Sequence, residues 1–266
     1  FERLKLRDHG CEIVSGLCEL YAALRFSRPA KAAQYRAPVH RMVDRILEVG
    51  RNEHGLFYNA IDPRDGSVLD DRPADTWGYT LNGVYSLYLL DGAEAHREAV
   101  LQALGCLDGN YRSFAWEGAS SDGYADAIES ALNLLNREPV ASAAAWIDRE
   151  IQVMWAKQQP DGTIEGWHGD GNFARTTAMY CLWKSQGARL EPWRPDLRLG
   201  AVRDGASLVL ALAAERAWKG ELILDRPRHR EFLKLPLDWP RINQFPEWFT
   251  VEAGDRFEAR VDDGPT

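Results

Sequence analysis

The sequence is short of cysteine, of positive charge and of long apolar runs, and each shortage removes a class of protein. Four cysteines in 266 residues are too few for a disulfide scaffold of this size. Cys11 and Cys18 stand two helical turns apart, roughly 10 Å, beyond the reach of a bridge within one helix. Cys106 and Cys181 fall inside apolar helical patterns, and there is no Cys-x-x-Cys pair. All four therefore read as small buried side chains rather than redox or metal groups. Lys and Arg number 32 against 40 Asp and Glu, a formal charge of −8. Phosphate neutralisation needs the opposite balance on one face, so a nucleic-acid partner is excluded. No apolar run reaches the roughly 18 residues of a membrane span. A Walker loop, a dinucleotide fingerprint and a His-Glu-x-x-His helix are all missing, as is a Gly-x-Ser-x-Gly elbow, so no cofactor is expected. Asp170-x-Asn172 starts like a calcium loop but lacks its glycine and terminal glutamate, so no metal is expected either.

What is present is an ordinary globular composition, 45% apolar and 27% charged, with an excess of turns and tryptophan. There are 10 Trp, 13 Pro and 22 Gly, and eight glycines directly follow an aspartate, a turn signal. The chain opens at Phe1 without an initiator Met or a signal-peptide pattern. The expectation is a processed or truncated start, with the compartment left open.

Apolar residues recur at helical spacing in eight segments. They are marked by Val14–Leu24, Val39–Leu47, Leu81–Tyr88, Val100–Leu107, Tyr124–Leu135, Ala144–Trp155, Phe173–Lys184 and Val202–Ala213. The expectation is a mainly α protein with no strand before its tail. Helices three, five and seven each follow a polar, aromatic, glycine-containing stretch, and Tyr79, Asp126 and Thr176 occupy comparable positions at steps of 47 and 50 residues. A period near 50 with two helices per unit reads as stacked helical hairpins. The seventh helix, apolar on nearly every side, is expected to be covered on both sides as an inner helix. Helices three and five carry small and hydroxyl residues that allow close approach, and two, four and six suit an outer layer.

The turn Gln158-Gln159-Pro160-Asp161-Gly162-Thr163-Ile164-Glu165-Gly166-Trp167, running into Gly169-Asp170-Gly171-Asn172-Phe173-Ala174-Arg175-Thr176, resembles the repeat of (α/α) toroid, or six-hairpin, proteins. That superfamily holds glycoside hydrolases, polysaccharide lyases, sugar epimerases and, more distantly, terpenoid cyclases. The resemblance covers roughly residues 8–218. It implies an incomplete ring of about four hairpins over 1–218, from a chain truncated before Phe1, followed by a β-rich tail or the start of an adjoining β domain over 219–266. In that tail, Glu221–Asp225, Trp248–Val251 and the alternating Arg256–Val261 are strand candidates. The motifs are specific for the fold and weak for any one activity.

In such a ring the turns leading into the inner helices surround one end of the cavity. They supply carboxylates and aromatics, a combination suited to an oligo- or polysaccharide, whose rings stack on aromatic faces while carboxylates and amides hold the hydroxyls. Candidate catalytic residues are Asp126, one turn into an inner helix where burial raises a pKa, then Asp75, Asp170 and His168. Candidate substrate-binding residues are Trp77, Tyr79, Tyr124, Trp167, Asn172, Arg175 and His54, the last at the start of a connection running to Asp75. Helix capping is the competing reading for Asp75, Asp122 and Asp170, turn formation for Asp161, and hydrogen-bond support for Glu129. His9, His40 and His96 read as surface residues, and His229 as part of a basic turn. Cleavage of glycosidic bonds by paired carboxylates is the first expectation. A uronic-acid lyase using Asn172, Arg175, His168 and Tyr180 is the second, and a non-catalytic glycan-binding or structural toroid the third. A terpenoid cyclase is disfavoured by the lack of an Asp-x-Asp-Asp motif.

Overall fold

The computed structural model describes residues 2–164 and 171–260. Seven of the eight expected helices form: α1 (His9–Ser27), α2 (Pro29–Val49), α3 (Trp77–Asp91), α4 (Glu94–Asn110), α5 (Ser121–Leu135), α6 (Ala141–Trp155) and α7 (Asn172–Lys184). Their ends follow local chemistry. Pro29 opens α2, where a missing N–H costs nothing. The Ser120 hydroxyl caps α5, accepting from the Gly123 N–H at 2.9 Å, and Gly92 ends α3 in the left-handed conformation, relieved of a Cβ clash. No helix among the described residues is long and apolar enough to cross a membrane.

The first three odd helices pack on their successors, α1 on α2, α3 on α4, α5 on α6, and the short links make these pairs helical hairpins. The odd helices also pack in the order α1, α3, α5, while α4 packs on α6. The result is an inner row and an outer row. Burial follows the rows: Trp77–Leu87 of α3 and all of α5 except Asp122 are buried, whereas α4 buries a stripe through Val100, Ala103, Leu104 and Leu107. Small residues let α3 and α5 approach. A Cβ on Gly78 would lie 2.4 Å from the Ser130 Cβ and 2.7 Å from its Cα, so Gly78→Ala forces the two helices apart. A loss of about 1–3 kcal/mol is expected, read as a lower urea midpoint; an unchanged midpoint would refute this tight contact.

The structure corrects the sequence reading at several points. Strands do precede the tail: β1 (Leu4–Lys5), β2 (Tyr58–Ile61) and β3 (Val68–Pro73) form an antiparallel sheet in that order. The last two, β2 and β3, occupy much of the long connection to Asp75. Two to six residues long and charged in β3, the three strands carry too little alternation to announce themselves. Helix α7 is not enclosed; only Thr176 and Met179 of its residues are buried and Cys181 is exposed. The segment read as that helix is the hairpin β5 (Leu197–Asp204) and β6 (Ser207–Ala214). An almost wholly apolar run satisfies helical and strand periods equally, and Gly205, at φ +57°, supplies the first position of a two-residue loop closed by Asp204 and Ser207. His96 is buried, at 2% exposure, against its expected place on the surface.

The chain divides into two compact units, one running to Trp183 and including Asp238–Pro246, the other comprising Lys184–Leu237 and the residues from Glu247 on. Residues 197–214 thus belong with the second unit rather than with the helices. That unit also pairs β4 (Arg189–Glu191) with β7 (Glu221–Ile223), carries the single turn α8 (Arg228–Glu231), and joins Asp225 to Thr250 by an isolated bridge. Among its described residues, 256–260 form no strand, since no partner strand lies alongside.

Candidate functional site

The site grows out of the spacing of three helices. Tyr79 stands in the first turn of α3, Asp126 and Glu129 one turn apart on α5, and Arg175 in the first turn of α7. The Tyr79 hydroxyl lies 2.8 Å from Asp126 Oδ1 and 2.8 Å from Glu129 Oε2. Arg175 Nη2 reaches the same two oxygens at 2.8 and 2.5 Å. Arg175 Nη1 donates to Asn172 Oδ1 at 2.5 Å and to Asn243 Oδ1 at 2.6 Å. Asn172 in turn donates to Asp122 Oδ1, and the backbone N–H of Asn243 donates to Glu129 Oε1 at 2.8 Å. Four of the predicted residues, Tyr79, Asp126, Asn172 and Arg175, therefore meet in one network, together with Asp122 and Glu129.

This geometry favours an extra proton. A tyrosine hydroxyl has one hydrogen to give, yet two carboxylate oxygens lie at hydrogen-bonding distance from it. It donates to one and accepts from the other only if the other is protonated. Burial supplies the drive: Asp126 is 8% exposed and Glu129 0%. Desolvation pushes Asp126 up to about 7, with Arg175 opposing and Glu129 reinforcing. It raises Glu129 too, again against Arg175. Burial also takes the Tyr79 phenol well above its usual value, and both carboxylates add to that. Burial opposes the Arg175 charge, but Glu129 and Asp126 outweigh it and the guanidinium is held more firmly protonated than usual. One cation and two carboxyls sharing a proton is the state expected near neutrality, with the titration belonging to the pair.

A stability consequence follows. The folded pKa of Asp126 lies above the unfolded value, so the folded state binds more protons between about pH 4 and 7. The contribution is complete below the unfolded pKa and fades as pH rises through 7. Urea midpoints should therefore fall from pH 4.5 to 7.5, and Asp126→Asn should flatten that slope. An identical slope in the variant would remove Asp126 as its source.

Asp75 occupies a second charged group. It directly precedes Thr76, the residue at the N-cap of α3. Burial lifts its carboxyl to about 6, Arg7 pulling it down and Glu117 pushing it up. Arg7 Nη2 also donates to Glu117 Oε1 at 2.8 Å. The buried Cys11 thiol is pushed up to about 12 chiefly by desolvation, with the charges of Asp126 and Asp75 both contributing. The two predicted carboxylates thus lie within electrostatic reach of one thiol, at the starts of adjacent inner helices. The Asp75 carboxyl takes a backbone hydrogen bond from Thr76 at the start of α3, and the side chain that caps α5 is that of Ser120.

The aromatics divide differently. Trp77 is 0% exposed and has no face to offer a ligand. Tyr124 is buried, with Lys157 Nζ 5.1 Å from its ring centre. Trp116 packs edge-on to Trp146 at 6.1 Å and to Phe114 at 4.8 Å, so much of the tryptophan excess is core. His54 lies apart from the charged network, in a cleft of about 410 Å³ lined by Asn52, Glu53, His54, Tyr58, Asp71, Asn110, Tyr111 and Phe114. Asn52 shapes that cleft, taking the N–H groups of His54 and Leu56 on its Oδ1 and donating to the Tyr111 hydroxyl at 2.7 Å. Trp167, His168 and Asp170 lie outside the described residues.

Sequence reasoning missed Asn243, Arg7 and Glu117. Asn243 arrives on the returning segment Asp238–Pro246, which is tied to the helices by Arg137 and Asp238 at 2.8 Å and by Trp239 stacked on Phe26. Nothing in a proline-rich stretch signals such a return. Comparison of the chain with protein-family models, curated proteins and solved structures finds no match.

Proposed function

We propose that the chain is part of a carbohydrate-active enzyme that cleaves glycosidic bonds, its hairpins forming an arc of an (α/α) toroid. The observation that carries this reading is the buried Asp126 carboxyl, lifted to about 7 beside Glu129, Tyr79 and Arg175. A carboxylic acid still protonated near neutrality is what protonation of a leaving glycosidic oxygen requires. Glu129, with no exposed surface, keeps the proton on Asp126 rather than meeting substrate. Asp75, at the start of the neighbouring inner helix, is the proposed second carboxylate. The aromatic and amide groups of the His54 cleft offer a place for a sugar ring.

The lyase reading is weaker. Arg175 is engaged by two carboxylates, and a phenol pushed above its usual pKa is a poor source of the base that β-elimination needs. The structural reading has one observation in its favour, since Asp126 and Glu129 are buried and both are paired with Arg175. A panel of neutral and uronic polysaccharides, scored for new reducing ends and for absorbance of unsaturated products, separates the three. Reducing ends without unsaturation are expected. Unsaturated products would transfer the assignment to a lyase, and neither signal would leave the structural reading.

A further inference from the structure

Between α2 and α4, on the outer row, three side chains converge that the charged network does not use. His40 and Asp44 stand one turn apart on α2, and His96 faces them from α4. Each offers a ligand atom, and the three atoms lie within 4.8 Å of one another. The two imidazoles stack with ring centres 5.4 Å apart and planes inclined by 19°. His96 is buried, yet its Nδ1 has no hydrogen-bond partner among the described residues, and its Nε2 lies 2.8 Å from Asp44 Oδ1. An imidazole nitrogen with no partner is costly to bury, so this histidine is not fully satisfied by the protein alone. His40 is oriented from behind: Asp91 Oδ2 lies 2.8 Å from its Nε2. The same carboxylate accepts from the Tyr21 hydroxyl at 2.8 Å and from Arg36 Nε at 3.2 Å, which fixes its position. A carboxylate holding the outer nitrogen of a histidine is the support that metal-ligating histidines commonly carry.

We propose that His40, Asp44 and His96 form a binding site for a divalent ion of the zinc type, joining α2 to α4. Two imidazoles and one carboxylate are a borderline donor set, suited to zinc, cobalt or nickel rather than to calcium or magnesium. Ligand bonds of about 2.0–2.2 Å require the donor atoms to draw closer, and Asp44, on the exposed side, is free to turn. Three protein ligands leave a fourth position for water.

The test is calorimetric titration of the metal-free, tag-free chain with zinc chloride, supported by the visible spectrum of the cobalt-loaded protein. One ion per chain is expected, with a tetrahedral cobalt spectrum. Binding should weaken at least tenfold in Asp44→Asn, whose exposed side chain leaves folding intact, and in His40→Ala. His229→Ala, which removes the His229–Glu247 pair of the second unit, should leave it unchanged. No binding by the wild type, or equal affinity in Asp44→Asn and His40→Ala, overturns the proposal, as does loss of binding in His229→Ala alone.

Discussion

Replacing Arg175 by methionine is expected to destabilise the helical unit by about 3–5 kcal/mol at pH 7.5, the usual cost of leaving a buried ionic partner uncompensated. The guanidinium faces both Asp126 and Glu129 and is the only cation in contact with them among the described ion pairs. Without it the two carboxyls take up protons more readily, and their folded pKa values move further above the unfolded ones. The sign is fixed by that direction: the penalty should be smaller at pH 4.5, where both acids bind protons more readily, than at pH 7.5. Far-UV circular dichroism during urea unfolding, repeated at both pH values, reads it. Adding Asp126→Asn and Glu129→Gln should restore most of the loss, because neutral amides need no counter-charge. A penalty that neither varies with pH nor responds to the amide changes would mean that the network is not electrostatic in origin.

On the proposed reading, Asp126→Asn alone should lower glycosidic cleavage by about 10²–10⁴-fold, the range supplied by a positioned general acid, with little change in substrate KM. The amide oxygen still accepts from Tyr79 and Arg175, so the fold should persist. In the wild type the rate should decline on the alkaline side with an apparent pKa near 7, following the acid form of Asp126, and the residual rate of the variant should lose that limb. Undiminished cleavage would remove Asp126 from the chemistry and return the network to a purely structural part.

These effects rest on features of unequal visibility in the amino-acid sequence. Helical spacing and turn chemistry locate α1 to α7, because an amphipathic stripe and an Asp-Gly stop are local properties carried by neighbouring residues. The recurrence of a polar, aromatic turn before helices three, five and seven puts Tyr79, Asp126 and Thr176 at comparable positions, with Arg175 next to the last, and a common place in a repeat is enough to suggest that these turns lie near one another. Burial of Asp126 follows from its place within an inner helix. The β5–β6 hairpin fails the same approach for a physical reason: in Ser-Leu-Val-Leu-Ala-Leu-Ala-Ala the apolar residues are continuous, so no period distinguishes strand from helix.

Long-range contacts escape local pattern altogether. Asn243 reaches Glu129 across 114 positions, and Asp238 reaches Arg137 across 101. His96, read locally as an exposed histidine, is buried because α2 lies over it. Composition, periodicity and turn signals were sufficient for the mainly helical class and for the places of seven helices, since each depends on residues a few positions apart. Which carboxylates share a proton, which tryptophans are core, and which histidines face each other depended on how the helices pack. Desolvation and hydrogen-bond distance are properties of surroundings assembled from distant parts of the chain.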